Sequence, residues 1–196
     1  MSGYARQAVV AIRLLVVMTV VTGLAYPALV WGIAKVVPGR ANGSLITNSQ
    51  GVVVGSSLIG QSFNDPKWFW PRPSAAGTAG YDPTSSSGSN LGPENPDLVA
   101  AIEKRRAYDA KADGVDPATV PADALTTSAS SLDPDISPAY ATEQIARVAK
   151  ARGLTVGQVA NVVRQNTAGR ILGFMGEPRV NVLELNLALA AFNKAS

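Results

Sequence analysis

Apolar and polar positions divide this chain into two unlike stretches. From Leu14 to Ala34 no residue is charged and nearly all are apolar, with Arg13 before the run and Lys35 after it. At a helical rise of about 1.5 Å per residue, these 21 residues reach across a hydrocarbon core of roughly 30 Å. The pattern predicts one transmembrane helix, carried by Val36 and Val37 to a span of residues 14–37. A cleaved secretory signal shares the basic start, and Ala25 and Ala28 imitate its cut site. Its apolar stretch is shorter, however, at about 7 to 15 residues, so an uncleaved anchor is the expectation. Pro27, near mid-span, lacks a backbone donor and predicts a kink.

Beyond the span the pattern changes to short β-rich runs and helical stripes. Ser44 to Ile46 and Val52 to Val54 flank a turn-like Asn48-Ser49-Gln50-Gly51 and predict a hairpin. From Phe63 to Pro96 Gly, Pro, Ser and Asn dominate, which excludes continuous helix or sheet. Trp68, Phe69, Trp70 and Tyr81 lie inside that stretch, and rings of this size are costly to leave in water. Trp68, Trp70 and Arg72 therefore read either as anchors of a partner interface or as a cover over the domain's own core.

Three or four helices follow, with legible ends. Asn95 and Pro96 start one that runs toward Gly114, and Ser137 and Pro138 start another that Gly153 stops. Ala141, Ile145, Val148 and Ala149 make its apolar stripe, and Glu143 and Arg147 are spaced to pair at i,i+4. Thr155 with Gln158, and Asn181 with Glu184, have capping-box spacing before apolar runs. Ala124 to Ala129 is a candidate further strand. The expected fold is an N-terminal transmembrane helix followed by one α+β domain over residues 41–196, with a hairpin, a long Gly/Pro/Ser-rich loop and three to four helices.

Charge sharpens that division. Lys and Arg number 17 against 14 Asp and Glu, but Arg6, Arg13, Lys35 and Arg40 all precede residue 41, where no acidic residue occurs. The remainder is slightly acidic, so no nucleic-acid surface is expected, and Lys104-Arg105-Arg106 reads as a solvated helix face. Basic residues nearly balance across the span and the α-amino group tips the count. Residues 1–13 are then a short cytoplasmic N-terminus and residues 41–196 an extracytoplasmic domain. The chain contains neither His nor Cys, which excludes disulfides, thiol catalysis, His-based triads and ordinary zinc sites. It has no phosphate-binding G-x-x-x-x-G-K-[ST] loop and no G-x-S-x-G elbow. Carboxylate pairs such as Asp133 with Asp135, or Glu177 with Glu184, read first as turns and caps. No catalytic or metal-ligating residue is therefore assigned.

Several words of the chain, in order along it, resemble one family. They are Gly43-Ser44-Leu45-Ile46, Leu58-Ile59-Gly60-Gln61, Arg72-Pro73-Ser74-Ala75, Tyr81-Asp82-Pro83 and Ser86-Ser87-Gly88-Ser89-Asn90-Leu91-Gly92-Pro93. Ser128-Ala129-Ser130, Leu132-Asp133-Pro134-Asp135-Ile136-Ser137 and the run from Leu172 to Leu183 continue the series. Together with the single N-terminal span they resemble the C subunit of the bacterial Kdp potassium-transporting P-type ATPase. The resemblance implies a non-catalytic accessory subunit in the bacterial inner membrane. Its partners would be a channel-like potassium-binding subunit, an aspartate-phosphorylated ATPase subunit and a small single-span subunit. The Asp-Lys-Thr-Gly-Thr phosphorylation motif of the ATPase subunit is absent from this chain.

Two roles are implied, and they conflict over location. In one, the subunit acts as a catalytic chaperone that raises the ATP affinity of the ATPase subunit, and Gln144 is the position matching a nucleotide-contacting glutamine. In the other, an outer domain caps or braces the channel-like subunit. ATP enters only through the complex, and potassium is the transported ion. Without the resemblance Gln144 reads as an exposed helix residue. In the span, Thr19 with Gly23 and Ala28 with Gly32 are small pairs at i,i+4 that would let a partner helix approach. The alternative from another class is a membrane-anchored extracytoplasmic enzyme or ligand-binding protein acting alone.

Overall fold

Pro27 has no N–H to give to the carbonyl four residues earlier, and its ring crowds that carbonyl. The helix answers by widening just before it. In the computed structural model, which describes residues 3–195, helix α1 runs Gly3–Val36 with a π-helical turn at Val21–Ala25. Met1, Ser2 and Ser196, at the outer ends of the two expected segments, lie outside the described residues. The helix is 34 residues long and apolar enough to cross a membrane. Thr22 Oγ1 donates to the Met18 carbonyl at 2.7 Å inside the widened region. Thr19, Gly23, Ala28 and Gly32 are all exposed along this helix. A Cβ on Gly23 would meet only Thr19 Cγ2 at 4.0 Å, and one on Gly32 would meet nothing within 4 Å.

Residues up to Ser44 form one compact unit and residues from Leu45 onward a second. The second opens with the expected hairpin, β1 (Leu45–Thr47) antiparallel to β2 (Val53–Ser56), with a register irregularity between Ile46 and Thr47. Asn48 builds the turn: its Oδ1 accepts from the Gln50 and Val52 N–H groups at 2.9 and 3.1 Å. Between the hairpin and helix α2 (Pro96–Asp113), the described regular structure is one 3₁₀ turn, Pro83–Ser85. Asn95 caps α2 and the left-handed Gly114 closes it, as the sequence indicates.

The candidate strand at Ala124 to Ala129 is instead a short helix, α3 (Ala122–Leu125), leading into irregular chain. Its ends are tied. The Asp123 carboxylate accepts from the Ser137 N–H at 2.6 Å and hydroxyl at 2.9 Å, and Arg105 Nη1 donates to the Leu125 carbonyl at 2.8 Å. The sheet is made elsewhere, from β3 (Asp135–Ile136), β4 (Thr167–Ala168) and β5 (Arg179–Asn181), antiparallel in the order β3-β5-β4.

The helix expected from Ser137 to Gly153 divides at Gln144 into α4 (Pro138–Glu143) and α5 (Ile145–Arg152). Ser137 caps α4, and a left-handed Gly153 closes α5. Thr155 and Gln158 form both bonds of a capping box on α6 (Val156–Gln165). Asn181 Oδ1 accepts from the Glu184 N–H at 3.1 Å at the start of α7 (Val182–Ala195). Phe69, Tyr140, Val148, Val159, Val180 and Leu185 are among the residues that close the core between these elements. The fold is α+β.

Candidate functional site

The irregular segment 65–70 holds three aromatic rings and no regular hydrogen-bonding partner, so its buried backbone must be satisfied by side chains. Five consecutive carbonyls are met in this way. Arg147 Nη1 donates to Pro66 at 2.7 Å and to Trp68 at 2.9 Å, and Arg152 Nε donates to Lys67 at 2.7 Å. Asn186 Nδ2 reaches Phe69 at 3.0 Å and Gln144 Nε2 reaches Trp70 at 3.1 Å. The same two amides accept in return: Phe69 N–H gives to Asn186 Oδ1 at 2.9 Å, and Trp70 N–H to Gln144 Oε1 at 2.6 Å. Each amide side chain thus imitates one residue of a neighbouring strand. The segment is a strap, sewn to α5 and α7 without a sheet.

Arg147 is the hub of this arrangement. Its guanidinium lies 3.8 Å from the centroid of the Trp70 ring, its Nη2 donates to Gln144 Oε1 at 2.6 Å, and its Nε donates to Asp113 Oδ1 at 2.7 Å. Tyr108 stacks on the same indole at 5.5 Å between centroids. The Arg147 side chain is 6% exposed and that of Asp113 0%. The i,i+4 pair expected between Glu143 and Arg147 does not form. The buried Asp113 carboxylate takes the guanidinium, and Glu143 is left with a buried Oε1 that has no hydrogen-bond partner.

Three carboxylates therefore share the neighbourhood of one buried cation. Burial, and then the nearby Asp113, push the Glu143 carboxyl up to about 7. Burial followed by Asp113 pushes Asp109 up to about 6, against a pull downward from Arg147 and Arg105. Burial also raises Asp113 itself, opposed by Arg147. Beside the strap a cleft of about 300 Å³ is lined by Trp70, Arg72, Tyr81, Arg105, Tyr108 and Asp109.

The sequence-predicted residues separate clearly. Trp70 is 7% exposed and Phe69 0%, so these rings cover the domain's own core. Trp68 is half-buried, with the Arg152 guanidinium 4.2 Å from its ring centroid. Arg72 is committed to Asp133 Oδ2 at 3.1 Å and to the Thr126 and Thr127 carbonyls at 3.4 Å, while the Tyr81 hydroxyl donates to the Arg72 carbonyl. Gln144, read as exposed from sequence, is fully buried, because the loop 65–70 folds over the face of the helix that carries it. Arg147, Arg152, Asp113 and Asn186 were not singled out as site residues. Asn186 alone left a trace, as a polar residue amid Leu185, Leu187 and Leu189. Thr19, Gly23, Ala28 and Gly32 belong to the first unit and are not part of this constellation.

The family described as K+-transporting ATPase, c chain, matches residues 8–191. The chain belongs to the KdpC family. The potassium-transporting ATPase KdpC subunit of Kineococcus radiotolerans is 56% identical over 184 residues, covering 94% of this chain and 93% of its own. That of Geobacter sulfurreducens is 51% identical over 180 residues, covering 91% and 94%, and that of Burkholderia orbicola 56% over 185 residues, covering 93% and 94%. KdpC is an accessory subunit of an ATPase complex and not its catalytic chain, which disfavours the alternative of an enzyme acting alone. The KdpC match takes in the apolar helix from residue 8 onward and the whole strap with its clamps.

Proposed function

We propose that the chain is the accessory subunit of a potassium-transporting ATPase complex, anchored in the cell membrane by Gly3–Val36, with its second unit outside the cytoplasm bracing a channel-like subunit. Its other partners on this reading are the phosphorylated ATPase subunit and a small single-span subunit. The observation that carries the proposal is the KdpC match across residues 8–191. Bracing is favoured over direct nucleotide contact by Gln144 itself. Both of its amide atoms hold the Trp70 backbone, so meeting a nucleotide would require the strap to let go.

The test is labelling of Ser2→Cys and Ser196→Cys variants on intact cells with a membrane-impermeant thiol reagent, in a chain that has no native cysteine. The proposal expects modification at residue 196 and none at residue 2 until the cells are opened. The reverse pattern would return the second unit to the cytoplasm and revive the nucleotide role of Gln144. Gly23→Leu with Gly32→Leu tests the span as a packing surface. The isolated helix has room for both side chains, so loss of the complex on purification would be a partner effect.

A further inference from the structure

The run from Ala168 to Arg179 is exposed throughout, and its tip is apolar. Ile171, Leu172, Phe174 and Met175 are 54%, 79%, 71% and 52% exposed. The tip is also ordered by its own backbone. Ile171 and Met175 exchange both N–H···O bonds at 2.9 Å, and Leu172 and Gly173 turn the chain at φ +54° and +82°. A left-handed glycine is ordinary there, but a left-handed leucine brings its Cβ against the following carbonyl oxygen and is unfavourable. Nothing the leucine packs against within the domain accounts for that cost, since it is the most exposed of the four. At the base the charges cancel: Arg170 meets Glu177 at 2.8 Å and Arg179 meets Asp135 at 3.0 Å.

We infer that residues 170–178 form a docking finger whose Leu172-Gly173-Phe174 tip inserts into an uncharged apolar recess on another subunit of the complex. The inference rests on the accessory-subunit reading above and names a contact surface for it. The one cation of the finger, Arg170, is paired with Glu177, so the finger carries no net charge to draw it to an anionic bilayer. Preformed geometry favours a fixed protein recess, because a hairpin already closed loses little conformational freedom on docking. A contiguous apolar tip on a chain that assembles with others is the kind of surface that subunit contacts bury.

The experiment uses the full chain co-produced with the other subunits. Leu172→Asn with Phe174→Ser removes the apolar tip, and asparagine tolerates the left-handed backbone. Recovery of the chain with the complex is expected to fall about tenfold, while the thermal melt of the purified full chain does not fall. Equal recovery of wild type and double variant overturns the finger and leaves the accessory role standing. If wild type itself fails to co-purify, the accessory reading fails first and takes the finger with it. A polarity-sensitive dye on a Leu172→Cys variant identifies the occupant. A blue shift that appears only on assembly with the other subunits supports the proposal. A shift already present in liposomes holding this chain alone at high dilution assigns the tip to lipid, and one that grows with the density of this chain assigns it to a second copy. Either of those results overturns the protein recess.

Discussion

The strap at 65–70 and the finger at 170–178 are both irregular and both hold large apolar side chains, yet the strap buries Phe69 and Trp70 while the finger is bare. The difference lies in how their backbones are satisfied. Strap carbonyls are met by Arg147, Arg152, Asn186 and Gln144 from distant helices, which lets Phe69 and Trp70 enter the core without stranded polar groups. The finger satisfies itself across one bridge and needs nothing from the domain. Apolar content alone therefore does not decide burial. The supply of polar partners for the accompanying backbone decides it.

Breaking the hub should produce the largest effect on this contrast. Arg147→Met strands a buried Asp113 and two strap carbonyls, and is expected to destabilise the domain by about 3–5 kcal/mol, out of a typical 5–15 kcal/mol. Chemical denaturation of the full chain in detergent measures this. Adding Asp113→Leu should recover part of the loss, whereas further destabilisation by the second change would mean that the ion pair is not the hub.

Removing a single amide clamp comes next. Gln144→Leu or Asn186→Leu each leaves a buried N–H and C=O unpaired, at a cost of about 2–4 kcal/mol. Amide hydrogen exchange should tell them apart, with Trp70 losing protection in the first variant and Phe69 in the second. Equal exposure of both residues in both variants would show that the strap opens as one piece.

The acidic neighbourhood of Arg147 predicts a smaller, pH-dependent effect. Glu143 and Asp109 hold their protons more tightly folded than unfolded, being raised to about 7 and about 6. A raised carboxyl favours the folded state fully below its unfolded value, and that contribution is lost as pH rises through the folded one. Stability should therefore decline from about pH 4 toward pH 7, and Glu143→Gln with Asp109→Asn should flatten the slope. Urea midpoints across that range test the sign. The smallest effect belongs to the finger: Leu172→Asn should raise stability, by about 1 kcal/mol, because it relieves the left-handed leucine. A fall in melting temperature would mean that the leucine is packed in solution.

What was legible in the sequence was local. Asn95, Ser137, Thr155 and Asn181 mark helix starts within three residues of the groups they cap, and the hairpin turn is written in Asn48 and Gly51. Trp68, Trp70 and Arg72 stand out by residue type, but their surroundings are not written in the local sequence. The amides that pair Phe69 and Trp70 lie 117 and 74 positions away. Spacing along a chain carries no information about contacts at that range. The same limit applies to Gln144, which a loop arriving from elsewhere buries, and to Arg147 with Glu143, where the Asp113 carboxylate of α2 takes the guanidinium.

The π-helical turn before Pro27 resets the rotational phase of the membrane rod. In an unbroken α-helix, Thr19 and Ala28 would point about 180° apart, placing the two small pairs on opposite sides. A turn closed at i+5 absorbs one residue without its usual advance of about 100°, so Ala28 comes round to about 80° from Thr19. Thr19, Gly23, Ala28 and Gly32 then share a single arc, and one neighbouring helix can lie along all four.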